Sequence, residues 1–144
     1  MTGVRDLRSQ FGTIVFANDN LIVVDKNHGV LTVPARDASD QRLCLGLELQ
    51  NVLEQQIYPV HRLDFEVSGL VLFAKTTTAH RLAQGWFEEA SVEKLYQGLS
   101  RPHGVPPREW VEWRSKLVRG KRRSFSAPHG KPSITRARVR SHDG

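Results

Sequence analysis

The stretch Gly69-Leu70-Val71-Leu72-Phe73-Ala74-Lys75 is an almost unbroken apolar run, bounded by a glycine before it and by Thr76, Thr77 and Thr78 after it. It is short and flanked by strand-ending and helix-starting residues, so it reads as a buried strand. Thr13–Ala17 and Leu21–Asp25, rich in Ile and Val, read as two further strands joined by the turn-prone Asn18-Asp19-Asn20. A loop over Lys26–Gly29 leads to an extended piece, Val30–Val33, that Pro34 stops, and the polar Ala35–Gln41 reads as a surface loop. Within Arg42–Glu54, Leu45, Leu49, Val52 and Leu53 recur at helical spacing, which predicts a helix with one buried face. Ile57–His61 reads as a strand. The threonine cluster offers N-caps for a second helix, Ala79–Glu88, with Ala79, Leu82, Ala83 and Trp86 as its apolar stripe. Val92–Leu99, Trp110–Lys116 and Ser133–Arg140 are read as strands. Strands outnumber helices and do not alternate with them regularly. The predicted fold class is therefore α+β, a mixed, largely antiparallel sheet with a few flanking helices.

A length of 144 residues suits one domain with one core. No run approaches the roughly 20 apolar residues of a membrane span, and Met1–Gln10 lacks the apolar stretch of a secretory leader. The lone Cys44 excludes an internal disulfide framework, and its setting among Leu43, Leu45 and Leu47 marks it as a core residue. A reducing cytoplasm is the expected location. The net charge of +6 is unevenly spread: residues 114–140 hold ten of the 21 Lys and Arg and no Asp or Glu, leaving the remainder at −4. Such segregation favours a polyanion, RNA or DNA, as partner. Trp110, Trp113, Leu117 and Val118, which lead into it, and Ile134, Ala137 and Val139, which close it, argue against a purely solvated tail.

The densest chemistry lies in His61-Arg62-Leu63-Asp64-Phe65-Glu66-Val67-Ser68-Gly69-Leu70, a polar loop between two apolar strands. A neighbouring guanidinium favours the charged form of a carboxylate. Charged and partly shielded, Asp64 could serve as nucleophile or base. From composition alone the favoured reading is an Asp that closes a turn, with Arg62 as its surface ion pair.

That loop resembles the signature of the RluA-type pseudouridine synthases, in which His-Arg-Leu-Asp is followed by a hydroxyl residue, Ser, Gly and an apolar strand. Asn18–Pro34, with Lys26 and Gly29, resembles the family's first conserved segment, and Val92-Glu93-Lys94-Leu95-Tyr96 is similar to its Lys-X-Tyr strand. Lys131–Arg138 resembles the stretch before its last motif, so the similarity runs from about residue 13 to the end. Asn27 and His28 stand where the family often has Pro and Ala, and Val67 replaces its usual Thr.

The resemblance implies isomerisation of uridine to pseudouridine in structured ribosomal or transfer RNA, with no cofactor and no metal. Asp64 would be the essential carboxylate, attacking the sugar or the base or deprotonating the sugar. Arg62 would pair with Asp64 and help hold the target nucleotide out of its stack. Tyr96 would lie against the base and help remove the carbon 5 proton; a core or edge-strand role is its alternative. Lys94 shares the expected strand face of Tyr96, either contacting phosphate or solvated, and His61 would fix the loop. Leu63 and Leu70 are expected in the core. Lys121, Arg122, Arg123 and Phe125 would grip and stack on RNA. The six histidines have no metal-ligand spacing. Family members continue into a strand and a Gly-Arg-Thr-His-Gln-type segment that nothing after Thr135 matches. The chain is accordingly read as a single catalytic domain, residues 1–144, cut short at its C-terminus, with 114–140 as a basic segment within it. A catalytically incomplete RNA-binding member of the family is the alternative.

Overall fold

The computed structural model describes residues 7–99, 109–120 and 123–140. Contacts gather into two compact units, Met1–Leu95 and Tyr96–Gly144, where the sequence reading drew one domain.

The first unit is built on a four-stranded sheet of order β1-β2-β4-β3, from β1 Gly12–Ala17, β2 Leu21–Lys26, β3 Tyr58–Pro59 and β4 Gly69–Ala74. Every ladder in it is antiparallel; a lone parallel bridge joins Leu31 to Cys44. β2 and β4 pair without a break from Leu21↔Ala74 to Lys26↔Gly69. Because side chains alternate along a strand, Ile22 and Val24 of β2 and Val71 and Phe73 of β4 share one face. They are buried there with Leu45 and Leu49 of helix α1, Leu45–Leu53, and with Leu7, Phe11, Val30 and Ile57. Helix α2, Thr77–Glu88, is associated with a second, smaller cluster of Val60, Ala74 and Ala83, backed by Leu21, Tyr58, Leu72, Ala79 and Phe87.

Val30–Val33, read as an extended piece, contributes a bridge at Leu31. Two sequence expectations shift. Leu70 is 60% exposed, because its position opposite Asp25 turns it away from the Val71–Phe73 face. On α2 the line turned inward is Ala79, Ala83 and Phe87, at steps of four residues, with Ala83 buried and the other two partly so; Leu82 is 62% exposed and Trp86 stands beside it. The threonine cap forms as expected: Thr76 accepts the Ala79 N–H at 3.1 Å. Cys44 is buried, and Leu63 packs against the first core.

The second unit holds a three-stranded antiparallel sheet, β6-β5-β7, from β5 Val111–Arg119, β6 Ser124–Ser126 and β7 Lys131–Ala137. The basic stretch between β5 and β7, to which the sequence reading assigns no strand, contains β6. Val92–Leu99, read as a strand, has no secondary structure. Its large apolar side chains, Leu95 and Leu99, are exposed and find no facing strand among the described residues.

Candidate active site

Asp64 sits on the connection between β3 and β4, its side chain exposed and its backbone held from both sides. Before it, Thr32 Oγ1 donates to the Leu63 carbonyl at 2.9 Å and accepts the Leu63 N–H at 3.1 Å. After it, the Phe65 carbonyl accepts the Gly29 N–H at 2.8 Å, and the Asp64 carbonyl accepts the Val67 N–H at 3.1 Å. Gly29 has φ 70°, a left-handed conformation that glycine adopts without penalty. The ring of Phe65 is covered by the Arg42 guanidinium, 4.8 Å from its centroid. A carboxylate carried on such a loop is presented to solvent from a fixed peptide frame.

The segment that holds the loop is itself held from inside. Lys26 is fully buried, and its Nζ donates to the carbonyls of Val30 at 2.8 Å and Asn27 at 2.9 Å. Burial pushes its ammonium below the usual lysine range, and the charge of Glu66 opposes that shift. From the sequence Lys26 falls in a loop, whereas it closes β2. The alternation Ile22, Val24, Lys26 carried the signal, since it puts the lysine on the core face of β2.

His61 fixes the loop as expected. Its Nε2 accepts the Leu72 N–H at 3.1 Å, and its ring lies 4.9 Å from that of Phe87. Desolvation, and then the charge of Lys94, lower its pKa. Lys94 is exposed, with Nζ 5.8 Å from the Phe87 ring centroid.

Other expected site residues fall differently. Arg62 and Asp64 are both exposed and form no ion pair; between solvated charges such a pair gains little. Lys94 and Tyr96 share no strand face, because Val92–Leu99 is not a strand; Tyr96 is 64% exposed and opens the second unit. Lys121 and Arg122 lie outside the described residues. Arg123 and Phe125 are exposed at and beside β6, with Phe125 opposite Val118. Just past β7, Arg138 has its guanidinium 4.9 Å from the ring centroid of Trp110, the residue before β5. Among the described residues, no three of His, Cys, Asp and Glu gather as metal ligands would.

The model of the family described as RNA pseudouridylate synthase matches residues 20–143, nearly the whole chain and the Asp64 loop with it. The chain belongs to that family. Its relatives put it with the RluA-type members. It is 33% identical over 88 residues to tRNA pseudouridine synthase C of Haemophilus ducreyi, a match covering 61% of this chain and 36% of the relative. It is 30% identical over 130 residues to the dual-specificity RNA pseudouridine synthase RluA of Pasteurella multocida, covering 85% and 56%. The chain thus spans from about a third to a little over half of the length of these curated relatives. Among solved structures, human RNA pseudouridylate synthase domain containing 4 shares the fold, with TM-score 0.57 and 16% identity over 85% of this chain and 51% of that one.

Proposed function

We propose that this chain isomerises uridine to pseudouridine in structured RNA, with Asp64 as the catalytic carboxylate. The observation that carries the reading is the exposed Asp64 on a loop pinned on both sides, within a chain of the RNA pseudouridylate synthase family. In the isomerisation the bond between N1 of uracil and C1′ of the ribose breaks and the base turns. A bond from C5 to C1′ then forms, C5 loses its proton and N1 gains one. Atoms and electrons balance with no co-reactant. Asp64 serves by attacking the sugar or the base, or by deprotonating the sugar. Arg62, two residues before it, helps hold the extruded nucleotide, and Tyr96 lies against the base and helps move the C5 proton. Lys94, Lys121, Arg122, Arg123 and Phe125 contact the RNA backbone and bases. Transfer and ribosomal RNA are the proposed hosts, the first in line with the name of the Haemophilus ducreyi relative. A cytoplasmic location fits such a substrate and the single cysteine; among the described residues no helix is long and apolar enough to cross a membrane.

A second reading, RNA binding without turnover, is favoured by one observation: Tyr96 stands exposed outside any strand. RNA carrying tritium at C5 of uridine separates the two. Release of tritium by the wild type and none by Asp64→Asn, at unchanged melting temperature, supports the isomerase. Equal release by both overturns Asp64 as the catalytic carboxylate. Salt-sensitive RNA binding with no release at stoichiometric protein supports the second reading.

A further inference from the structure

We propose that Thr32 is the positioning residue of the catalytic loop, its one hydroxyl fixing the residue that precedes Asp64. This rests on the isomerase reading above. Thr32 is 2% exposed and lies 31 residues upstream of Leu63. A hydroxyl carries one proton and two lone pairs. Here the proton goes to the Leu63 carbonyl, 2.9 Å away, and a lone pair receives the Leu63 N–H at 3.1 Å. One side chain therefore makes both halves of a backbone pairing that would otherwise need a strand. Branching at Cβ restricts threonine's χ1 and favours a single presentation of the hydroxyl.

The clamp has a rigid mount. The Thr32 carbonyl accepts the Gly46 N–H at 3.1 Å, and the Leu31 carbonyl accepts the Leu45 N–H at 2.8 Å. These are amides of the first turn of α1, which have no partner within the helix, and the side chain of Cys44 at the cap makes no bond to them. Gly46 permits the approach: a Cβ there would stand 3.0 Å from the Thr32 carbonyl oxygen. Helix α1 thus holds residues 31 and 32 by their backbones, and Thr32 passes that position to Leu63 through its side chain. Gly29 holds Phe65 on the far side, so Asp64 is bracketed by two contacts from one short segment. A carboxylate that must meet a reacting nucleoside depends on such a frame, because a displacement of about 1 Å can cost about a hundredfold in rate.

Thr32→Val keeps the shape and removes the hydroxyl; Thr32→Ser keeps the hydroxyl. In the full chain, Thr32→Val is expected to lower kcat for uridine conversion about 10- to 100-fold, with KM for RNA nearly unchanged, as for a group that acts on the transition state alone. Hydrogen exchange at the Leu63 amide should quicken in the same variant, while its thermal melt stays cooperative. Thr32→Ser should restore both rate and protection. Wild-type kcat in Thr32→Val, or unchanged exchange at Leu63, overturns the proposal, as does a serine variant no better than valine. If the wild type converts no uridine, the isomerase reading fails on that result. The exchange of Leu63 still decides whether Thr32 holds the loop.

Discussion

The backbone N–H of Leu72 donates to Nε2 of His61 at 3.1 Å, tying the first residue of the Asp64 motif to the middle of β4. An acceptor at Nε2 requires the neutral ring with its proton on Nδ1. Protonation would place a hydrogen at Nε2 and set two donors against each other. Burial and the charge of Lys94 already oppose the cation, so the pKa of His61 in the fold lies below its unfolded value near 6.5. In this window the unfolded chain binds more protons than the folded one. The stability from this contact is therefore complete above about pH 6.5 and lost as pH falls through the depressed pKa. Thermal melts between pH 8 and pH 5 are expected to show a drop below about pH 6.5 that is smaller in His61→Gln. An equal drop in both proteins would assign it to other groups.

Lys26 holds Asn27 and Val30 from inside the fold, and this is a structural use of a charged amine. Lys26→Met keeps the length of the side chain and removes its donors, leaving the carbonyl of buried Val30 without its partner. A loss of about 1–3 kcal/mol is expected from the unsatisfied group, measured by urea denaturation. The loop that carries Gly29 should loosen with it, so uridine conversion should fall as well. Wild-type stability in Lys26→Met would mean that these carbonyls find other donors.

Gly12 pairs opposite Lys26 at φ 138°, and a Cβ there would stand 2.1 Å from the Asp25 carbonyl oxygen. The obstacle is backbone in the central strand β2, which cannot swing aside as a side chain would. Gly12→Ala is expected to cost at least about 2 kcal/mol through a strained φ and displaced strands. The melting temperature should fall accordingly, and retention of the wild-type melt would contradict the geometry.

Much of the first unit could be read from local pattern, because its determinants are local. The apolar runs of β1, β2 and β4, the turn at Asn18-Asp19-Asn20 and the Thr76 cap each depend on neighbouring residues. The motif likewise marks the connection between β3 and β4 that carries Asp64. Contacts across long stretches of chain were not legible: nothing near Thr32 announces a bond to a peptide 31 residues away. Composition misled at Val92–Leu99, where Val, Leu and Tyr suit a strand but no ladder forms. β6 went unread for the opposite reason, since Ser124-Phe125-Ser126 holds one apolar residue and pairs only because β5 lies beside it. Strand propensity describes fitness for a pleated surface, and the partner decides whether one exists.

The proposed RNA contacts on the β6-β5-β7 sheet can be tested with charge separated from stacking. Register puts Glu112, Arg114, Lys116 and Val118 on one face of β5, opposite Arg136 and Ile134 of β7 and Phe125 of β6. Glu112 lies between two guanidiniums, 2.5 Å from Arg114 and 3.0 Å from Arg136, and both hold its carboxyl below the usual range. RNA bound on this face as proposed would have to draw those arginines away from Glu112. Glu112→Gln should therefore strengthen RNA binding and steepen its dependence on salt, by about 0.7 in the log–log slope for each phosphate newly engaged on a single strand. Phe125 carries no charge and is 49% exposed, so Phe125→Ala should weaken binding by about 1–3 kcal/mol through lost stacking and leave the slope unchanged. Filter binding of single-stranded RNA across a salt series reads both quantities. A changed slope in Phe125→Ala, or an unchanged one in Glu112→Gln, would mean that RNA does not lie on this face.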